Sequence, residues 1–469
     1  MSNTLMVSVS GMRGIVGTDL TPELVARHAA ALGAWAKASG KPLVVLGRDS
    51  RTSGEMFAHA AIAGCQSAGC NVIDLGVVPT PTTQLAVEYH HAGAGLILTA
   101  SHNPIEWNAL KLVGPDGIFL DASAGEAVRA LAGQEGGPPR AGWDGIGSLR
   151  HDPEAIARHL DLVLALPEID QALIRSRRFS VALDCVRGAG GAVIPELLGR
   201  LGCEVHGINL ETDGRFPREP EPIPENLSEL GKLVRTTGAQ IGMAVDPDVD
   251  RLALVDEQGN PIGEDYTLAF AVRAVLGVSR EVGKSVAAST DLPTYRLTPP
   301  TVVANLSTSL VVEDAARDGG ARFLRAPVGE ANVAKAMKEE GALIGGEGNG
   351  GVILPKLHVG RDAPLGVALI LQHLALENRP VTALVGAAPK YRIVKAKIKR
   401  GADLQAAYKA LKVRFPDAQV DERDGLRLAW RDRWVHLRPS GTEPVIRFIA
   451  EAPTEQEAET LLAACRTLL

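Results

Sequence analysis

The chain has 469 residues, room for about three or more domains at roughly 150 residues each. Hydrophobic residues make up 45% and charged ones 22%, which excludes wholesale disorder, and 4% aromatics give no stacking surface for bases. A formal charge of −6 with no long Lys/Arg run excludes a nucleic-acid footprint.

With 50 glycines and 29 prolines the composition favours α/β architecture with many tight loops. The cysteines Cys65, Cys70, Cys185, Cys203 and Cys465 are scattered and odd in number, with no His cluster beside them. They read as packed, reduced thiols and not as zinc ligands. The first residues lack an apolar targeting core, and no run reaches transmembrane length, so a cytoplasmic protein without a membrane partner is expected.

Residues 21–41, "TPELVARHAAALGAWAKASGK", read as a helix with Thr21 as N-cap, Pro22 in the first turn and Gly40 past the end. A buried strand and polar loop, "KPLVVLGRDS", follow. A strand–loop–helix–strand pattern then recurs at 43–77, 180–210 and 301–329, each the size of a βαβ unit. Pro/Gly-rich breaks fall at 132–148, 214–227 and 289–300. From about 377 strands alternate with helices such as "DLQAAYKALKVRF", the pattern of a smaller α+β domain. The expected division is 1–153, 154–259 and 260–376 for three related α/β domains, and 377–469 for the terminal α+β domain.

Four loops carry candidate chemistry. In "GLILTASHNPIEWNALKLVG" (95–114) Ser101 and His102 stand at the mouth of a buried strand, with Lys111 on the next. No glycines flank Ser101, so this is not a hydrolase elbow. On an extended backbone neighbouring side chains point apart, which makes His102 a poor base for Ser101. In "MAVDPDVDRLALVDE" (243–257) Asp246, Asp248 and Asp250 alternate, which in extended backbone puts three carboxylates on one face. A hard divalent cation such as Mg²⁺ relieves their repulsion. An EF-hand is excluded because Arg251 replaces the required glycine and the flanks read as strands.

In "GGEGNGGVILP" (345–355) only Glu347 and Asn349 project functional groups, a carboxylate and an amide suited to sugar hydroxyls. In "WVHLRPSGTEPVIRFIAEA" (434–452) Arg438, Ser440, Gly441, Thr442 and Arg447 form a phosphate cradle without a Walker lysine. Arg13 lies between glycines in "VSGMRGIVG". Each loop alone also reads as an ordinary turn. Together they share one ligand, phosphate, and phosphoryl transfer rests on positioning and charge neutralisation.

Taken in order, T-A-S-H-N-P, D-P-D-V-D-R, G-E-G-N-G-G and R-P-S-G-T-E-P resemble the α-D-phosphohexomutase superfamily over essentially the whole chain. The resemblance implies four domains around a central cleft and an enzyme of the isomerase class that interconverts hexose 6- and 1-phosphates. It implies that Ser101 is a phosphoserine and that Mg²⁺ is held by Asp246, Asp248, Asp250 and the Ser101 phosphate. His102, Lys111, Arg13 and Arg251 are implied to surround the transferring phosphoryl group, with Lys111 easing deprotonation of the substrate hydroxyl. Glu347 and Asn349 are implied to bind sugar hydroxyls, and Arg438, Ser440, Gly441, Thr442 and Arg447 the non-transferring phosphate. A hexose 1,6-bisphosphate is the implied intermediate, turning around in the cleft.

Two departures stand out. Many members have Ser and His where this chain has Asn349 and Gly351, so the loop histidine's proton-transfer role does not carry over; His358 in "LHVGRD" is a possible substitute. Pro247 replaces a glycine between metal ligands. The sugar loop looks like that of phosphoglucosamine mutases, with phosphomannomutase/phosphoglucomutase as the alternative substrate assignment. A sugar-phosphate sensor without catalysis is a more distant reading. The sequence is compatible with a monomer or a homodimer.

Overall fold

The computed structural model describes residues 5–8, 11–289, 299–399, 404–439 and 445–467. Three α/β units share one strand order. In the first, Asn71–Val77, Leu43–Arg48 and Ala94–Leu98 are parallel neighbours, and Trp107–Val113 runs antiparallel beside the last. In the second the same places are taken by Glu204–Ile208, Ser180–Asp184, Ile241–Val245 and the antiparallel Leu252–Val255. In the third they are Arg322–Ala326, Thr301–Asn305, Ile344–Glu347 and the antiparallel Gly351–Ile353. The recurring pattern in the sequence supplies the first two strands of each unit.

The central strands Ala94–Leu98, Ile241–Val245 and Thr301–Asn305 are buried at every residue. Helices cover both faces of a parallel sheet, so its strands read as continuous apolar runs without alternation. Helix Pro22–Ala38 forms as expected: the Thr21 hydroxyl accepts from the Leu24 N–H at 3.4 Å, Pro22 opens the helix, and Gly40 beyond it has φ 78°.

The first sheet is extended. Met6–Ser8 and Gly11–Ile15 join antiparallel to Trp107–Val113, and Leu149–His151 adds to the opposite edge. A Cβ on Gly11 would lie 1.8 Å from the Leu110 carbonyl oxygen, so only glycine permits this pairing. The pairing sets Arg13 opposite Ala109, two residues from Lys111.

The terminal unit is different. Arg392–Lys399, Val445–Ala452, Trp434–Pro439, Leu426–Ala429 and Gln419–Asp421 form an antiparallel sheet in that order. Helices Leu404–Arg414 and Glu455–Arg466 bury Leu411, Leu461 and Leu462 against its apolar face. The three α/β units and smaller C-terminal α+β unit expected from the sequence are present. The 214–227 stretch forms no strand and a single 3₁₀ turn at Pro224–Asn226; most of the 289–300 stretch lies outside the described residues. No helix among the described residues is long and apolar enough to cross a membrane.

Candidate active site

In each α/β unit the turn between the third parallel strand and its antiparallel neighbour holds one of the candidate loops. Ser101 follows Ala94–Leu98, the aspartates follow Ile241–Val245, and the Glu347–Gly351 turn follows Ile344–Glu347.

The first two turns meet. The Ser101 hydroxyl donates to Asp246 Oδ2 at 3.0 Å. Ser101 has φ 51°, the left-handed region that a side chain seldom adopts, and it is buried. This turn corrects the expectation that Ser101 and His102 point apart. The backbone there is not extended, and His102 Nδ1 lies 3.3 Å from Ser101 Oγ. The charge of Arg251, then burial and Arg13, hold the His102 imidazole far below its usual range, so it is neutral at pH 7.

The aspartates also converge by a turn and not by extended alternation. Val249 between them has φ 60° and packs into the core, and ligand oxygens of Asp246, Asp248 and Asp250 lie within 4.8 Å of one another. All three are fully buried, and Asp248 Oδ1 and Asp250 Oδ1 have no hydrogen-bond partner. Buried carboxylate oxygens without hydrogen-bond partners, in a cluster of three carboxylates, fit a hard cation. Burial, then the charges of Asp250 and Asp248, push the Asp246 carboxyl well above the carboxylate range. Burial opposes ionisation of Asp248 too, but Lys111 and the Thr80 hydroxyl outweigh it and hold Asp248 below that range. The flanking strands also bear out the exclusion of an EF-hand.

Lys111 Nζ is 2.8 Å from Asp248 Oδ2, and Arg13 donates to the Asn103 side chain. Arg251 Nε lies 3.6 Å from Asp250 and 4.0 Å from Asp246. Ser101 and the four residues expected around the phosphoryl group are thus tied to two adjoining turns.

The third turn joins through Gly350, whose carbonyl accepts from the Leu252 N–H at 3.0 Å. With φ 88° and a hypothetical Cβ 2.3 Å from the Leu252 oxygen, this position requires glycine. Glu347 is buried and accepts from Asn305 Nδ2 at 2.8 Å, Gly329 N–H at 3.0 Å and Arg361 at 3.0 Å. Burial opposes its ionisation, but these partners, Arg361 foremost, hold it below the usual range. Asn349 turns its oxygen to the Gly351 N–H at 3.2 Å, so it braces its own hairpin. His358 is buried, with Nε2 3.0 Å from Asp362, a carboxylate it shares with His159.

On the terminal sheet Arg438 and Arg447 are directly paired across adjacent strands. Like charges so placed repel, and an anion between them relieves it. Arg438 lies 3.0 Å from Asp424, which also accepts from the Val328 N–H at 3.1 Å, next to the Gly329 that holds Glu347. Ser440, Gly441 and Thr442 lie outside the described residues.

The sequence matches four profiles in succession: phosphoglucomutase/phosphomannomutase α/β/α domain I over 5–136, domain II over 157–259, domain III over 284–391 and the C-terminal domain over 392–468. The chain belongs to the phosphoglucomutase/phosphomannomutase family. It is therefore a phosphohexomutase, an enzyme of the isomerase class. A phosphoglucomutase/phosphomannomutase of Thermococcus kodakarensis is 38% identical over 457 residues, covering 96% of this chain and 95% of the relative. A probable phosphoglucosamine mutase of Methanopyrus kandleri is 36% identical, covering 96% and 95%. The crystal structure of a phosphoglucomutase/phosphomannomutase family protein from Burkholderia thailandensis superposes with a TM-score of 0.83 at 25% identity, covering 99% and 98%.

Three residues that sequence reasoning passed over brace these turns. Arg51, 1% exposed, uses every guanidinium N–H. Nη2 donates to the carbonyls of Ser101 and Asn103 at 2.7 and 2.6 Å, Nη1 to those of Pro104 and Trp107 at 2.6 and 3.0 Å, and Nε to Asp49 at 3.1 Å. Asp49 accepts from the Thr99 hydroxyl at 2.6 Å, and that oxygen accepts from the Ser101 N–H at 2.9 Å. This network holds Ser101 in its left-handed conformation. Thr80 opens helix Thr80–Tyr89 and holds Asp248 twice, N–H to carbonyl and hydroxyl to Oδ2, both at 2.8 Å. Arg361 links the aspartate turn to the Glu347 turn, donating to Asp250 at 2.5 Å as well as to Glu347. The local sequence signal was slight: Arg361 lies inside one G-R-D stretch, 360–362, and Arg51 two residues beyond another, 47–49, each bordering an apolar run.

Proposed function

We propose that the chain is a phosphoglucosamine mutase, moving a phosphoryl group between the 6- and 1-oxygens of a hexosamine through a phosphoserine at Ser101 and a 1,6-bisphosphate. The observation that carries this reading is the Ser101 hydroxyl 3.0 Å from Asp246 within a buried carboxylate triad. A nucleophilic oxygen beside a divalent-cation site is what phosphoryl transfer requires.

Asp246, Asp248 and Asp250 would hold Mg²⁺, which when bound supplies charge neutralisation for the phosphoryl oxygens. In the forward half-reaction the bond from phosphorus to Ser101 Oγ breaks and one to the free sugar hydroxyl oxygen forms. The proton of the sugar hydroxyl ends on Ser101 Oγ as that oxygen leaves phosphorus, with Lys111 beside the sugar oxygen to stabilise the charge that develops on it. Arg13 and Arg251 face the phosphoryl oxygens, and neutral His102 has a ring nitrogen within reach of Ser101 Oγ to hold a proton. The bisphosphate then reverses, and the other phosphoryl group returns to Ser101. Glu347 and Asn349 must exchange their present partners for sugar hydroxyls. Arg438 and Arg447, with Ser440, Gly441 and Thr442, grip the phosphate that is not transferring.

A second reading, phosphomannomutase/phosphoglucomutase, is favoured by the name of the 38%-identical Thermococcus relative. A kcat/KM panel on glucosamine, glucose and mannose phosphates, with phosphorylated protein and Mg²⁺, separates the two. Preference for glucosamine phosphate supports the first. Preference for mannose or glucose phosphate supports the second, and turnover of none with Ser101 fully phosphorylated sinks both.

A further inference from the structure

The proline-rich stretch 214–227 carries a carboxylate into the site, although the phosphoryl chemistry above has no task for it. Glu221 Oε1 lies 3.4 Å from Arg251 Nη1 and 3.9 Å from His102 Nε2. Ser101 Oγ touches the other nitrogen of the same imidazole, so Glu221 and Ser101 are one ring apart. An acid that close to a residue meant to carry a phosphoryl group repels the ligand.

Its position is fixed. Pro217, Pro220, Pro222 and Pro224 restrict the backbone on both sides. Arg218 is anchored to buried Asp184 at 2.7 Å and donates to the Glu219 carbonyl at 2.9 Å. The Glu221 carbonyl accepts from the Ile223 N–H and from Asn226 Nδ2, both at 2.9 Å. The side chain itself is half-exposed, so nothing in packing demands a carboxylate there. Arg251 meanwhile has three carboxylates within reach: Glu221 at 3.4 Å, Asp250 at 3.6 Å and Asp246 at 4.0 Å.

We propose that Glu221 is a positioning residue that occupies Arg251 as a counter-charge when no phosphoryl group is present, and so loosens the site's hold on phosphate. The functional side rests on the mutase reading: a bisphosphate that must turn around has to leave Arg251 midway, and a site that binds phosphate too firmly traps it. A competing internal anion lowers ground-state affinity and speeds departure.

The test measures binding of inorganic phosphate to the dephosphorylated protein by calorimetry with Mg²⁺ present, for wild type, Glu221→Gln and Glu221→Asp. E221Q is expected to bind about tenfold more tightly, while E221D, which keeps the charge, stays within about twofold of wild type. With hexose phosphate substrates, E221Q is expected to lower KM and kcat together, the signature of a lost ground-state opposition. Unchanged or weaker phosphate binding by E221Q, or tightening by E221D equal to that of E221Q, overturns the proposal. The binding measurement needs no turnover, so a wild-type protein that isomerises no hexose phosphate defeats the mutase reading separately.

Discussion

The hydroxyl of Ser101 donates to Asp246 at 3.0 Å, joining two α/β units across 145 residues of chain. Each partner sits on the turn that leaves the third parallel strand of its unit. Repetition of one strand order therefore does chemical work. It presents three turns of the same kind, and a different side chain on each converges on the same place. The ends of parallel strands, where the chain must turn, are where such sheets place their sites.

Arg51 frames the Ser101 turn from below by holding four of its carbonyl oxygens. Replacing it with Lys removes the planar fork while keeping the charge. R51K is expected to lower kcat about 100-fold with little change in KM, because a small misplacement of a reacting atom is enough to do so. R51A should also destabilise the fold by about 3–5 kcal/mol, since buried Asp49 loses its partner. Steady-state kinetics and denaturant unfolding check both; a KM defect with normal kcat would assign Arg51 to substrate binding instead.

The carboxylate triad is a repulsive cluster that a bound cation would neutralise. Mg²⁺ is expected to raise the unfolding midpoint, by an increment approaching 2.7 kcal/mol at about 100 times its dissociation constant. Burial and its two neighbours already push the Asp246 carboxyl toward its neutral form, so Asp246→Asn should match wild type without metal and, lacking that ligand, gain little on adding Mg²⁺. Differential scanning calorimetry with and without chelator reads this. Equal Mg²⁺ responses in wild type and D246N would place the ion elsewhere.

His436 joins the terminal sheet to the third unit, with Nδ1 2.8 Å from the Ser307 hydroxyl and Nε2 2.6 Å from the Asp424 carbonyl. Burial, which outweighs that carbonyl, lowers it to about 4. A histidine depressed in the folded state contributes stability above its unfolded value, lost as pH falls through the folded one. Stability is thus expected to decline between about pH 6.5 and 4 by on the order of 3 kcal/mol. His436→Gln should flatten that decline. An unfolding profile in which H436Q keeps the wild-type slope assigns the acid sensitivity to another group.

The strand–helix–strand repeat was legible because its parallel strands are apolar runs bounded by glycines. The candidate loops were legible because their chemistry is local: three aspartates in five residues, or a serine and a histidine side by side. What escaped was long-range. Arg51 acts on Ser101 from 50 residues away, Arg361 on Asp250 from 111, and Thr80 on Asp248 from 168. Only the folded topology brings such pairs together. The helix Ala363–Glu377 is buried on nearly every face, which erases the amphipathic period that marks a helix in sequence. Turn geometry was hidden too, because Ser101 and Val249 take left-handed backbone that no local residue preference announces.

The central claim is that Ser101 carries the phosphoryl group. Protein bearing isotopically labelled phosphate on Ser101 is mixed with an unlabelled hexosamine 6-phosphate and Mg²⁺ and sampled through a single turnover. Label should pass from the protein to the sugar at the rate at which the 1-phosphate forms, and Ser101→Ala should neither accept label nor turn over. Isomerisation with the label still on the protein, or full activity in S101A, would contradict it.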